Sequence, residues 1–329
     1  MTSATVHVLG AAGYAGSQLA ALVDAHPWFT LGTITARADA GRPLRALYPE
    51  YRVDAVLTEL DVQAIAPGDF AAVCYPHAAA SELVAQLVDR GVRVVDVSAD
   101  HRLRDPALYP AWYGFEHPRP DLLAEAVYGL PEAYRERIRT ARVVANPGCY
   151  PTAALLALLP LVGHLEDVII DAKSGVSGAG RAPSDTVHFC SVTDNLTPYK
   201  VLSHRHTPEI GQELGLEVTF TPHLMAVDRG ELTTCYARLT GEVPDTQEAM
   251  LQRYRAFYDG HPFVEVVDTP PGLRGVQRTN IAQICPLLDA PKGRLLAFGV
   301  IDNLVKGAAG QALQNLNLMA GRPETEGLV

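Results

Sequence analysis

The chain of 329 residues is 48% hydrophobic and 19% charged, with 27 basic against 37 acidic side chains and a formal net charge of -10. That length holds about two domains with ample apolar material for packed cores, and the acidic balance excludes a nucleic-acid or anionic-membrane binder that needs a broad basic face. Five cysteines, Cys74, Cys149, Cys190, Cys235 and Cys285, lie far apart without a C-x-x-C pair, which argues against a disulfide framework or a structural zinc and for a reducing compartment.

The first residues carry no basic leader, and no apolar stretch reaches the roughly 18 residues of a membrane span, so a cytoplasmic protein is expected. Residues 4–9 (ATVHVL) predict a buried strand broken at Gly10, and the following GAAGYAGSQLAALVDAHP predicts a glycine turn and a helix ending near Pro27. Further strands are expected over residues 31–36, 71–75, 92–97 and 143–145, with a helix over 81–89. Such alternation implies right-handed crossovers and a mostly parallel, Rossmann-type sheet in an α/β domain. After NPGCYPT comes an apolar helix, ALLALLPLV. Beyond Val168 the alternating segments 168–172, 216–221, 232–239 and 281–287 predict an α+β domain with a largely antiparallel sheet. The final GQALQNLNLMAG places Leu313, Leu316 and Met319 on one side of a helix that would pack back on the first domain.

Gly10, Gly13 and Gly16 form G-x-x-G-x-x-G between the first strand and helix, where absent side chains let backbone amides approach a pyrophosphate. Tyr14 and Ala15 belong to the same turn. The second strand ends in TITAR rather than in the acid that binds an NAD ribose, and Arg37 suits the 2′-phosphate of NADP, with Asp39 close by and an ordinary surface arginine as the alternative.

Asn146, Pro147 and Gly148 place Cys149 in a tight turn just before a helix, where the dipole and free amides favour a thiolate nucleophile; a buried core cysteine is the competing reading. Cys74, Cys235 and Cys285 fall inside predicted strands and are expected to be core. A cysteine nucleophile needs a group that exchanges protons near neutral pH. The SHRHTPEI segment offers His204 and His206, with Glu209 three residues on to orient an imidazole in a Cys, His, acid arrangement. A surface loop remains open for this segment, and no further ligand cluster supports a metal. His101 in DVSADHRLRD is expected to be solvated. Arg102, Lys173, Arg181, Lys200, Arg205 and Arg229 lie beside turns around these motifs and suggest a local anion site for a phosphate or carboxylate.

The segments GAAGYAG, DVSADHRLRD, NPGCYPTA, SGVSGAGR, HRHTPEI, PHLMAVDRG and IDNLVKGAAGQALQNLN, in this order over nearly the whole chain, resemble the N-acetyl-gamma-glutamyl-phosphate reductase family of arginine biosynthesis. The resemblance implies the aspartate-semialdehyde dehydrogenase architecture: an NADP-binding Rossmann domain over residues 1–148 and 303–329, and a catalytic and oligomerisation domain over 149–302. It implies Cys149 as nucleophile, His206 for proton transfer, and His204 with Arg102, Ser177 and Arg205 for a small acyl phosphate. Ser174, Gly175 and Asn303 are implied as further cofactor contacts, in a homo-oligomer, dimer or tetramer. The lysine-pathway reductases that act on a carrier-linked aminoadipyl phosphate look alike over most of the chain, but NPGCYPT favours the arginine enzyme. A nicotinamide-binding redox sensor without turnover and a cysteine hydrolase are the other readings, the second opposed by the glycine turn.

Overall fold

The computed structural model describes residues 3–328. The chain divides into two compact units, one of Met1–Pro147 with Ala308–Val329 and one of Gly148–Gly307.

In the first unit the elements run β1 (Thr5–Leu9), α1 (Tyr14–Asp24), β2 (Thr30–Thr35), α2 (Leu44–Leu47), β3 (Phe70–Val73), α3 (Ser81–Asp89), β4 (Arg93–Asp96), α4 (Tyr109–Tyr113), α5 (Pro120–Glu125), β5 (Val127–Tyr128), α6 (Pro131–Thr140) and β6 (Val143–Ala145). The strands form one parallel sheet in the order β2-β1-β3-β4-β6-β5. Both faces are covered, which is why β3 reads as an unbroken apolar run, FAAV, and is buried throughout. The expected third strand stops at Val73, so Cys74 lies beyond it and is half-buried rather than core.

The last helix, Gly310–Met319, belongs to this unit and packs against α1, α6 and β4. The sequence shows only a one-sided apolar stripe, yet every residue of this helix is buried. Its polar face is turned inward, with the amide nitrogens engaged: Gln311 and Asn315 donate to the Gly129 carbonyl at 2.7 and 2.9 Å, and Asn315 donates to Asn146 Oδ1 at 3.1 Å.

The second unit runs α7 (Cys149–Leu158), β7 (Leu165–Gly175), α8 (Phe189–Val192), β8 (Leu196–Pro198), α9 (His206–Leu214), β9 (Val218–Met225), β10 (Glu231–Leu239), α10 (Gln247–Phe257), β11 (Val264–Val266), β12 (Ala282–Asp289) and β13 (Arg294–Ile301). Its sheet has the order β11-β12-β13-β10-β7-β9-β8 and is antiparallel except at β11–β12 and β7–β9. The expected combination of a parallel and a largely antiparallel sheet is therefore present. Helix α7, buried from Tyr150 to Leu158, lies across β10, β12 and β13. Its approach is so close that a Cβ on Gly299 would overlap the Ala153 carbonyl. Strand β9 runs past Pro222, which interrupts the sequence pattern, because the Pro222 carbonyl still accepts the Tyr199 N–H at 3.1 Å.

Candidate active site

Gly10 closes β1 with φ +96°, a region L side chains rarely enter, and a Cβ there would fall 2.7 Å from the Cys74 carbonyl oxygen and 2.8 Å from Tyr75 Cδ1. Gly16, in the first turn of α1, sits over the Gly10 carbonyl with its Cβ position 2.9 Å from Ala11 Cα. Gly13 instead leaves room, since only the Gly10 carbonyl, at 3.8 Å, faces it. The turn is held from outside: Gly10 N–H donates to Thr35 Oγ1 at 3.1 Å, Ala11 N–H to the Thr35 carbonyl at 2.8 Å, and the Tyr48 hydroxyl to the Ala12 carbonyl at 2.7 Å. Helix α1 then begins with no side-chain cap and no acid in its first turn, so its N-terminal amides and dipole are presented to an anion.

Above this turn lies a cleft of about 430 Å³ lined by Gly10, Gly13, Arg37, Asp39, Cys74 and Tyr75, and an adjoining hollow of about 300 Å³ shares Arg37 and Tyr75. Arg37 is exposed at the rim, while the Asp39 carboxylate accepts a hydrogen bond from Arg42 at 2.8 Å. Burial pushes the Cys74 thiol up to about 12, which makes it an inert wall. The bare glycines, the uncapped helix and the cationic rim fit a phosphorylated dinucleotide.

In the second unit Cys149 is the first residue of α7 and half-buried. Gly148 precedes it, and its N–H donates to Glu209 Oε1 at 2.8 Å with both groups buried. The missing Gly148 side chain makes room for His206: a Cβ would fall 2.6 Å from the imidazole Cε1. His206 and Glu209 share α9, one turn apart, so that single short helix delivers both groups to the cysteine turn. The His206 N–H donates to His204 Nδ1 at 3.1 Å, and His204 is packed among Tyr150, Tyr199, Phe220 and His206, with ring centroids 4.7–5.7 Å apart. Burial, aided by Lys200 and Arg205, lowers the His204 pKa to about 3, so this ring is neutral near pH 7. Thus a cysteine on a helix N-terminus, an imidazole beside it and a buried acid holding the intervening turn are assembled within one unit.

Residues 5–141 match the semialdehyde dehydrogenase NAD binding domain and residues 149–303 the semialdehyde dehydrogenase dimerisation domain. An N-acetyl-gamma-glutamyl-phosphate reductase of Dehalococcoides mccartyi is 48% identical, over 98% of this chain and 96% of its own. Those of Syntrophobacter fumaroxidans and Geobacter metallireducens are 47% and 46% identical, over 98% of this chain and 97% of theirs. The chain belongs to the N-acetyl-gamma-glutamyl-phosphate reductase family. Among solved structures, the aspartate semialdehyde dehydrogenase with NADP from Candida albicans has a TM-score of 0.73 at 16% identity, covering 97% of this chain and 99% of that one. Aspartate semialdehyde dehydrogenase II of Vibrio cholerae, complexed with ASA, has 0.71 at 16% identity, over 98% and 99%. At such identity these two share the fold.

Within this member of the reductase family the remaining predicted residues fall into separate groups. The DVSADHRLRD segment is largely buried. Asp100 accepts the Ala80 and Ser81 N–H groups, both at 3.0 Å, at the start of α3, and His101, expected to be solvated, is buried with Nδ1 2.7 Å from Asp96. Arg102 is buried as well, donating from Nε to the Asn146 carbonyl at 2.8 Å and from Nη2 to the Val97 carbonyl at 3.1 Å. Ser177, Gly175 and Asn303 form a knot: Ser177 Oγ donates to the Asp228 carbonyl at 2.6 Å, and Asn303 donates to Ser177 Oγ at 3.0 Å while accepting the Gly230 N–H at 2.8 Å. A Cβ on Gly175 would fall 2.7 Å from that same Asp228 carbonyl. Ser174 is buried on β7, and Arg205 is half-buried where α9 begins. Among the described residues no cluster of three His, Cys, Asp or Glu side chains is placed to hold a metal ion, and no helix is long and apolar enough to cross a membrane.

Three residues escape the sequence reading. Tyr199 donates to the Tyr150 hydroxyl at 3.3 Å, and Tyr150 donates to the His223 carbonyl at 3.1 Å, so the two phenols form the wall against which His204 and His206 rest. Tyr150 stands next to Cys149 in NPGCYPT, but nothing in a single tyrosine separates a wall of the site from core. Glu231, buried at the start of β10, is the third.

Proposed function

We propose that the protein reduces N-acetyl-glutamyl 5-phosphate to N-acetyl-glutamate 5-semialdehyde with NADPH, releasing phosphate, through a thioester on Cys149. The observation that carries this reading is the Cys149 turn itself, with His206 against Gly148 and Glu209 bound to the Gly148 N–H. At the start of α7, which has no side-chain cap, the helix dipole favours the Cys149 thiolate and the first-turn amides stabilise negative charge on a carbonyl oxygen. The thiolate attacks the acyl carbonyl, a C–S bond forms, and the C–O bond to phosphate breaks. Arg205, Arg102, Ser177 and His204 are assigned to the substrate, His204 as a neutral hydrogen-bonding ring.

The glycine turn, the α1 N-terminus and Arg37 would hold NADPH, with Ser174, Gly175 and Asn303 as further contacts; bound there, a reduced nicotinamide supplies the hydride that a thioester accepts. His206 then moves a proton at the former carbonyl oxygen as the C–S bond breaks and the Cys149 thiolate returns. Glu209 fixes the turn and the helix that carries His206. The protein works in the cytoplasm as a homo-oligomer, dimer or tetramer, a reading that the dimerisation-domain match supports.

The test is the reverse reaction, NADP reduction dependent on both phosphate and N-acetyl-glutamate semialdehyde. Cys149→Ala should abolish it and leave NADP binding intact; turnover surviving in this variant would overturn the mechanism.

A further inference from the structure

Glu231 opens β10, pairing with Ser174 of β7 and Ile301 of β13, and its side chain is completely buried. Alternation along the strand puts it on the same face as Thr233 and Cys235, within the run of β10 that α7 covers. Cys149 lies against the end of β13 and the segment after it: a Cβ on Gly307 would fall 2.8 Å from Cys149 Cβ and 3.2 Å from Ile301 Cδ1. The strand partner of Glu231 and the nucleophile therefore share one small volume.

A buried carboxylate ordinarily collects several hydrogen bonds or a cation. Neither oxygen of Glu231 meets a donor in well-formed hydrogen-bond geometry, and the groups close enough to favour its charged form are the Cys149 thiol and the Ser174 hydroxyl. Ser174 Oγ donates instead to the Gly175 carbonyl at 3.2 Å. Of the cations on neighbouring segments, Arg229 lies near Asp228 and Asp302, each at 3.7 Å, Lys173 pairs with Asp171, and Lys306, buried after β13, lies over the Phe263 ring at 5.7 Å. The other ionisable groups sensing Glu231 are the Tyr150 and Tyr199 phenols, both raised by burial and so neutral.

We infer that Glu231 is a positioning residue for Cys149, a neutral acid whose carboxyl engages the nucleophilic sulfur and keeps fixed negative charge out of a chamber that must admit an acyl phosphate. This inference rests on Cys149 being the nucleophile. Burial raises the Glu231 pKa to about 8, against the smaller opposing effects of Cys149 and Ser174, so the acid holds its proton at neutral pH. Above that pH it ionises beside the sulfur, and an anionic substrate is repelled.

The test compares pH profiles of kcat/KM for wild type and Glu231→Gln, which keeps size and hydrogen bonding but cannot ionise. The wild-type rate should fall above about pH 8, and in Glu231→Gln that alkaline limb should move up by at least one pH unit, about tenfold in proton concentration. Coincident limbs would overturn the role. A direct readout stands even if the glutamine variant fails to fold: infrared difference spectra of wild type should show a protonated-carboxyl band at pH 7 that disappears through about pH 8. In Cys149→Ala the pH at which it disappears should shift, because the substitution removes the sulfur that the carboxyl engages; a band blind to that substitution, or none at pH 7, overturns the inference. Turnover retained by Cys149→Ala would remove the catalytic reading itself. An inactive Cys149→Ala with coincident limbs removes only the role of Glu231.

Discussion

The His206 imidazole occupies the space where a Gly148 side chain would be, its Cε1 2.6 Å from the position a Cβ would take. Gly148 has φ -68° and ψ 157°, extended backbone that any residue adopts, so the requirement for glycine is this contact and nothing in the backbone. Gly148→Ala should push the ring away from Cys149 and lower kcat by about 100-fold, the scale of an ångström misplacement, with a packing cost of about 1–3 kcal/mol. NADP affinity should not change, because neither Gly148 nor His206 is among the residues assigned to the cofactor. Steady-state kinetics and a cofactor titration check this; an alanine variant with normal kcat would mean that His206 takes no part in the chemistry.

Glu209 acts on the same turn from below. Its Oε1 is the acceptor of the Gly148 N–H, and both are inaccessible to water. Glu209→Ala leaves that amide unsatisfied at a cost of about 1–3 kcal/mol. Glu209→Gln keeps an oxygen in place and should lose less. Urea unfolding of the pair measures the difference, and equal losses would show that the hydrogen bond does not hold the turn.

Much of this was legible in the sequence because it rests on local pattern. Gly10, Gly13 and Gly16 announce themselves by spacing after a strand, and NPGC followed by an apolar run marks a cysteine at a helix start. The spacing of His206 and Glu209 places them one turn apart as soon as α9 is drawn. Glu231 was not legible, because GELTT reads as an ordinary strand entry and only the pairing of β10 with β7 and β13 under α7 reveals that the acid is buried. In DVSADHRLRD it was His101 that misled, for the converse reason: a polar loop residue is expected in water, but tertiary contacts bury it against Asp96, while Asp100 binds the N–H groups at the start of α3. The last helix showed its apolar stripe and hid its second buried face, since Gln311 and Asn315 look solvent-facing until Gly129 and Asn146 are brought opposite them.

Cofactor preference should follow Arg37. It lines both the cleft over the glycine turn and the adjoining hollow, whereas the nearby acid, Asp39, is already held by Arg42. A guanidinium bonded to a 2′-phosphate contributes more than a neutral hydrogen bond, so Arg37→Ala should weaken NADP binding roughly tenfold, about 1.4 kcal/mol. NAD, which lacks that phosphate, should bind as before. Nicotinamide fluorescence titrations with both reduced cofactors decide the matter, and a parallel loss for the two would assign Arg37 to the pyrophosphate or to the fold.

Two buried histidines should make the protein acid-sensitive. In the unfolded chain each imidazole protonates near its usual value of about 6.5. In the folded protein burial lowers His204 to about 3, and burial with the neighbouring His101 lowers His117 to about 4. Between these values the unfolded chain binds protons that the native state does not, so unfolding becomes easier as pH falls below about 6.5, by up to about 1.4 kcal/mol per pH unit for each ring. Above about 6.5 both states hold neutral imidazoles and the effect vanishes. His204→Asn keeps an acceptor for the His206 N–H and removes one of the two titrations. From pH 7.5 to pH 5 the wild type should therefore lose about 2 kcal/mol more than His204→Asn, measured as the change in urea-unfolding free energy for each protein. Equal losses would mean that the His204 pocket opens and hydrates before the fold gives way, in which case its ring is not the closed wall of the site that its contacts with Tyr150, Tyr199 and Phe220 make it.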